Sequence, residues 1–247
     1  MSRTALSIVI ITLNEARRLP QLLADLQAQS FQDFEILHVD SNSDDDTVAC
    51  SRAASVGFKT FRITEMQRRG VSLGRNTGAK AADGRRLLFL DADTRLAPSF
   101  LAEAMADLDQ RAIEAGIVCM SGEGLKLRYR IGFALFNLGI RLTAHISPTA
   151  VGACMFSTLA LHKQIGGFDE DLSLCEDCNY VLKARQAGAK AKVIRPKFHF
   201  DPRRLEQDGL LATGLVYLRA NLHRFTRGEL RNQEIPYQFG HYDEARR

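Results

Sequence analysis

Asp91 and Asp93 close the stretch Leu87-Leu88-Phe89-Leu90-Asp91-Ala92-Asp93-Thr94, an apolar run that ends abruptly on two carboxylates. Short apolar runs read as buried parallel strands, and open α/β sheets bind ligands beyond the carboxyl ends of such strands. With Ala92 between them, the two acids point the same way in an extended segment. Paired carboxylates at a strand end suit a hard divalent cation that also grips phosphate oxygens, with a solvated turn as the alternative. A second acidic pair, Glu176-Asp177, opens a helix-like segment running to Ala187, with Val181, Leu182 and Ala184 as its apolar positions. Acids at a helix start favour the dipole and cap free N–H groups, so capping competes with chemistry there. Cys175 and Cys178 flank that pair in a C-x-x-C spacing, and no second such pair exists. Two inward-packed thiols explain it better than zinc or redox use.

These groups need a scaffold, and the first half of the chain alternates strand-like and helix-like segments. Ser7–Leu13 reads as a buried strand, and Ala16–Gln29 as a helix with Leu19, Leu22, Leu23 and Leu26 on one face. Glu35–Val39 is the next strand and ends on the polar turn Asp40-Ser41-Asn42-Ser43, which leads into a helix from about Asp46. Lys59–Ile63 is a third strand, Val71–Ala82 a helix despite Gly74 and Gly78, and Arg86–Leu90 a fourth strand. Such alternation implies a mostly parallel sheet with helices on both faces.

The second half is less regular. Pro98–Asp109 is helical, and Ile117–Met120, Ala153–Ser157 and Ala191–Ile194 are strands. Ile131–Ile140 is apolar apart from Asn137 and is flanked by Arg128, Arg130 and Arg141; it suits a core-packed helix or one lying in a membrane interface. Leu211, Leu215, Leu218, Leu222 and Phe225 form one stripe among Arg219, Arg224 and Arg227. Stripes of this kind usually face a core, and docking is the other reading.

The chain has 247 residues, 45% hydrophobic and 25% charged, with a formal net charge of +4. That charge is too small for a nucleic-acid footprint but favours anionic phosphates or an anionic membrane surface. Five cysteines are too few and odd in number for a disulfide framework. The amino-terminal apolar run is too short for a signal peptide, and no stretch approaches the ~18 apolar residues of a spanning helix. The expected location is cytoplasmic, or peripheral on an inner membrane face.

Taken in order, six weak motifs make a strong one. They are Ser7-Ile8-Val9-Ile10-Ile11-Thr12-Leu13-Asn14-Glu15, Val39-Asp40-Ser41-Asn42-Ser43-Asp44-Asp45-Asp46-Thr47, Gly74-Arg75-Asn76-Thr77-Gly78, Asp91-Ala92-Asp93, Gly166-Gly167-Phe168-Asp169-Glu170 and Glu176-Asp177. Over roughly Ser7 to Arg204 the chain resembles family 2 glycosyltransferases, enzymes of the GT-A nucleotide-diphospho-sugar transferase fold. The resemblance implies a GT-A domain over residues 1–205 and a short carboxyl-terminal helical extension, 206–247, packed on the domain or facing a membrane.

The resemblance also implies roles. Thr12, Asn14, Glu15 and Asp40 would line the nucleoside end of a donor site, where a carboxylate suits the ring N–H of uracil. Ser41-Asn42 stands where many relatives have Asp-Gly. Arg75 and Asn76 would contact the donor, Asp91 the ribose or the metal, and Arg203 and Arg204 the departing diphosphate. Asp93 would coordinate a divalent cation, manganese or magnesium, with His199 completing its shell. Asp177 would be the catalytic base, with Glu176 beside it. Asp44, Asp45 and Asp46 are better explained as acids at a helix start. His38 and His162 lack functional context.

The implied reaction is inverting transfer of a sugar from a nucleoside diphosphate donor, a UDP-sugar first and a GDP-sugar second. The acceptor hydroxyl would belong to a glycan or lipid-linked acceptor of cell-envelope glycan or glycolipid synthesis. Two alternatives stand beside it: transfer to a polyprenyl phosphate, and sugar-nucleotide binding without catalysis.

Overall fold

The computed structural model describes residues 4–143, 148–172, 174–200 and 209–231. Eight strands form one sheet: β1 (Leu6–Thr12), β2 (Phe34–Asp40), β3 (Phe61–Glu65), β4 (Arg86–Asp91), β5 (Thr94–Arg95), β6 (Ala115–Ser121), β7 (Cys154–Thr158) and β8 (Ala191–Phe200). The helices are α1 (Leu19–Gln27), α2 (Thr47–Ala54), α3 (Val71–Lys80), α4 (Phe100–Gln110), α5 (Leu127–Thr143), α6 (Leu159–Gln164), α7 (Glu176–Gln186) and α8 (Leu210–Arg227).

The sheet order is β3-β2-β1-β4-β7-β6-β8-β5. The first four strands in that order run parallel, so Asp40, Thr12 and Asp91 emerge at one edge. β7 reverses direction between β4 and β6, which brings its amino end, after Gly152-Ala153, to that same edge. β8 returns parallel to β6, and β5 pairs antiparallel with it at the border. β5 follows β4 after only Ala92 and Asp93, so the sheet curls around the turn that carries the two acids.

β1 is central and buried, and its two faces feed two cores. Leu6, Ile8 and Ile10 pack with Leu19, Leu22, Leu23 and Leu26 of α1 and with Phe100, Leu101 and Leu108 of α4. Val9 looks the other way, toward Ala79 of α3 and Tyr180 and Val181 of α7. The glycines inside α3 let it lie close on β1: a Cβ at Gly78 would lie 2.3 Å from Val9 Cγ1, and one at Gly74 would lie 3.1 Å from Ile11 Cγ2. Larger residues would lift α3 off β1, so packing overrides glycine's poor helix propensity.

Three details depart from the sequence-based expectation. The third strand lies at Phe61–Glu65, two residues later than the apolar pattern suggests. β8 continues past Ile194 to Phe200, so His199 lies within a strand rather than after one. Pro196 cannot donate to a ladder, and the pairing of β6 with β8 shifts register between Ile117 and Cys119 to accommodate it. Four members of the α8 stripe also turn outward: Leu215, Leu218, Leu222 and Phe225 are exposed, while Ala220 and Leu230 pack on Leu174, Cys175 and Cys178; the Leu211 side chain lies outside the described ones. Both of these cysteines are buried thiols. The expected boundary near residue 205 lies outside the described residues.

Candidate functional site

Arg75 is the hub of the carboxylate edge. Its side chain rises from α3 into the protein and is 2% exposed. Nη2 donates to Asp91 Oδ1 at 3.0 Å, and Nη1 donates to Glu176 Oε1 at 2.6 Å. The guanidinium also lies 5.2 Å from the centre of the Phe168 ring, a cation–π distance. Burial alone would lower the Arg75 pKa, but Asp91, Glu176 and Asp177 reverse that and hold the charge firmly on. One planar fork therefore ties the end of β4 to the start of α7.

Asp177 sits one residue beyond Glu176 in the first turn of α7, partly buried. Its Oδ2 accepts the Gly152 N–H at 2.6 Å and its Oδ1 accepts the Cys178 N–H at 2.7 Å. Each oxygen keeps further acceptor capacity. Burial first, and repulsion from Glu176 second, raise the Asp177 pKa to about 6; Arg75 and the Cys178 N–H offset part of that rise. A carboxylate poised near neutrality is what proton abstraction needs. Cys175 takes the N-cap position, where its left-handed backbone (φ 61°) turns the chain into α7 without a side-chain cap.

Small residues set the clearance around this pair. A Cβ on Gly152 would come within 2.7 Å of Arg75 Nη2. Gly167 has a φ of +69°, and a Cβ there would meet Asn76 Oδ1 at 2.5 Å. Asn76 clamps that loop: its Nδ2 donates to the Phe168 carbonyl at 3.0 Å, and its Oδ1 accepts the Phe168 N–H at 2.8 Å. A further bond runs from Asn76 Nδ2 to Glu170 Oε1.

At the ends of β1 and β2, a hydrogen-bond chain orders the two strand tips. Thr12 Oγ1 donates to Asp40 Oδ1 at 2.8 Å, and His38 Nε2 lies 2.8 Å from the same hydroxyl. Because Thr12 spends its proton on the carboxylate, His38 Nε2 must be the donor, leaving Nδ1 to accept from Ser51 Oγ at 2.8 Å. Burial, only partly countered by Asp40, lowers the His38 pKa to about 4 and keeps the ring neutral. Ser43 adds bonds from its hydroxyl and its N–H to Asp40. Asn14 has a left-handed backbone (φ 58°) and its Oδ1 accepts the Asp44 N–H, while the Glu15 N–H donates to Thr47 Oγ1. Of the acids at the α2 start, Asp45 binds Thr47 and the Ala16 N–H, Asp44 pairs with Arg69, and Asp46 takes the N-cap position.

Asp93 lies in the two-residue turn between β4 and β5, and His199 lies near the end of β8. The β5–β8 register sets His199 opposite Arg95, two residues along from Asp93. Among the described residues, no three His, Cys, Asp or Glu side chains close into a metal cage. One or two protein ligands with phosphates completing the shell is how Mg²⁺-type ions bind nucleotides, so this donor set fits a cation shared with a diphosphate. Arg203 and Arg204 lie outside the described residues.

The structure thus gathers Thr12, Asn14, Glu15, Asp40, Arg75, Asp91, Asp93, Glu176 and Asp177 along one sheet edge. Sequence reading sets His38 aside as lacking context and does not single out Ser51, because one polar residue inside β2 and one on the buried side of α2 carry no spacing signal. Gly152 acts through its backbone N–H, which no sequence displays.

Comparison with known proteins agrees with this architecture. The family model for glycosyl transferase family 2 matches residues 7–165, and the chain belongs to that family. Among curated relatives, the 4,4'-diaponeurosporenoate glycosyltransferase of Staphylococcus haemolyticus is 26% identical, aligned over 77% of this chain and 49% of that protein. The poly(ribitol-phosphate) beta-N-acetylglucosaminyltransferase TarS of Staphylococcus aureus is 24% identical over 78% of this chain and 35% of its own length. The chain therefore spans half or less of these relatives. Among solved structures, the mannosyltransferase PcManGT of Pyrobaculum calidifontis, in complex with GDP-Man and Mn2+, superposes with a TM-score of 0.66 at 22% identity, covering 80% of this chain and 56% of that one. TarS in complex with UDP-GlcNAc gives 0.63 at 23% identity, covering 79% and 58%. These likenesses establish the GT-A fold.

Proposed function

We propose that the protein is an inverting glycosyltransferase that moves a sugar from a UDP-sugar to an acceptor hydroxyl. The observation that carries this reading is the Arg75 fork, which joins the donor-side acid Asp91 to Glu176, next to Asp177. That linkage would space the donor diphosphate and a basic carboxylate within one frame. Asp40, oriented by Thr12 and Ser43, would accept the uracil ring N–H. Asp93, with His199 as a candidate second ligand from the neighbouring β8, would hold a Mn²⁺ or Mg²⁺ ion that offsets charge on the departing diphosphate. Asp177 would take the acceptor proton as the sugar bond forms on the opposite face, with Gly152 N–H fixing its orientation. The complexes of TarS with UDP-GlcNAc and of PcManGT with GDP-Man support a nucleotide-sugar donor. The relatives' names favour a cell-envelope or lipid-linked acceptor.

The test is a calorimetric and thermal-shift screen of UDP, GDP and their sugars with Mn²⁺, followed by measurement of nucleoside diphosphate release. UDP-sugar binding with slow hydrolysis that Asp177→Asn abolishes supports the reading. Binding without turnover in any acceptor mixture would favour a non-catalytic sugar-nucleotide protein, and no binding at all would overturn both.

A further inference from the structure

Of the ten exposed large hydrophobic side chains among the described residues, nine lie on two helices. α5 presents Leu127, Ile131, Leu135, Leu138 and Leu142, and α8 presents Leu215, Leu218, Leu222 and Phe225. Each set follows helical spacing and so forms a single stripe. On α5 the opposite face is satisfied inside the protein: Tyr129, Phe133 and Ile140 are buried, and Asn137 bonds both backbone groups of Met120. The two helices lie side by side, with the Phe136 and Tyr217 rings 5.8 Å apart and Thr149 bridging Thr143 to Asn221.

We propose that the outer faces of α5 and α8 together form a docking surface for an anionic lipid bilayer. Charge selects that occupant. Neither helix contains an acidic residue, and Arg128, Arg130, Arg141, Arg219 and Arg227 are exposed around the two stripes. Leucines on one face with arginines at their margins are the pattern of helices that lie in a lipid interface. A second copy of the chain fits worse, because a two-fold interface would bring together two surfaces of the same positive sign with no acid on either helix to offset them. Each basic side chain near an anionic surface strengthens binding by roughly fivefold at low salt.

The seat also bears on the acceptor. α8 packs through Ala220 on Leu174, Cys175 and Cys178, around the start of the helix that carries Asp177. A bilayer beneath α8 would flank that helix, which suits an acceptor hydroxyl carried on a membrane lipid. The choice of acceptor rests on the transferase reading; the docking does not.

The chain has no tryptophan, so Phe225→Trp supplies a single fluorescent reporter. In the full chain, vesicles of phosphatidylglycerol mixed with phosphatidylcholine should shift its emission to the blue. Co-sedimentation should fall at least tenfold in high salt or on pure phosphatidylcholine. Leu135→Glu combined with Leu218→Glu should lose at least tenfold in vesicle binding while melting temperature and UDP affinity stay parental. Absence of a blue shift, vesicle binding that ignores the double variant, or a dimer that the double variant dissolves would each overturn the proposal. UDP affinity is read in the same samples, so failure of docking and failure of the transferase reading remain separate.

Discussion

Arg75 Nη1 and Glu176 Oε1, from residues 101 positions apart, meet at 2.6 Å with both side chains almost wholly enclosed. The same guanidinium reaches Asp91 at 3.0 Å, so one cation neutralises two acids that would otherwise repel each other. Removing one partner of a buried pair costs about 3–5 kcal/mol because the remaining charges stay buried. Arg75→Ala should therefore lower stability on that scale in urea unfolding. Arg75→Lys should recover only part, since an ammonium cannot span both acids with a planar fork. Parental stability in Arg75→Ala would mean that water replaces the guanidinium at no cost.

The second expectation concerns the raised pKa of Asp177. A base must be ionised, so transfer should rise with pH through about 6 and level off above it. Asp177→Asn should lose ~10²–10⁴-fold in turnover, with donor affinity close to parental. Linkage runs the other way for stability: the folded state holds this proton more tightly than the unfolded chain, so this group's contribution declines as pH rises from about 4 to about 6. A helix-cap role predicts near-parental transfer by Asp177→Asn, because Asn caps about as well as Asp.

Asp93 should decide metal-dependent donor binding. Calorimetry with UDP in Mn²⁺ should show a large loss for Asp93→Ala, and chelator should weaken the parent protein but scarcely change the variant. Equal affinity in variant and parent would remove Asp93 from the metal site.

His38 should contribute to acid sensitivity. It is held neutral by burial with its pKa lowered to about 4, whereas the unfolded side chain titrates near 6.5. The unfolded state then binds the extra proton between those values, and stability falls as pH drops through that window by up to about 1.4 kcal/mol per pH unit. His38→Gln should remove that slope in urea midpoints measured from pH 7 to 4. It should also weaken UDP binding modestly, since the Thr12–Asp40 orientation loses its anchor. An unchanged slope would show that His38 is protonated in the fold.

Gly152→Ala tests clearance at the centre of the site. The new Cβ would stand 2.7 Å from Arg75 Nη2 and 3.0 Å from Nη1, closer than real Cβ contacts allow. Arg75 cannot retreat without leaving Asp91 or Glu176, so a loss of about 1–3 kcal/mol is expected, as for overpacking elsewhere, together with loss of turnover. A stable, active Gly152→Ala would show that the β7 entrance yields instead.

The strand ends at Asp40 and Asp91, the α3 helix with its internal glycines and the acidic start of α7 were legible because each carries a local pattern: an apolar run stopped by acid, or helical spacing. The extension of β8 to His199 was hidden because Pro196 argues against a strand, and only pairing with β6 carries the chain past it. The outward turn of the α8 stripe was hidden for a related reason. Periodicity reports that leucines share a face, but not which face finds a partner.

By itself, the sequence determined which residues could bind and react: two acids two apart after a buried strand, an arginine among glycines, and an acidic pair opening a helix. It also determined most of the order of strands and helices, since hydrophobic spacing is a local property of the chain; the two-residue β5 and the six-residue α6 are too short to carry such a pattern. Tertiary structure alone decided that β7 enters reversed and brings Gly152 N–H to Asp177, that Arg75 joins Asp91 to Glu176, and that α5 and α8 leave their leucines uncovered. Those relationships join residues far apart in the chain, and sequence spacing carries no information about such distances until the sheet has closed around them.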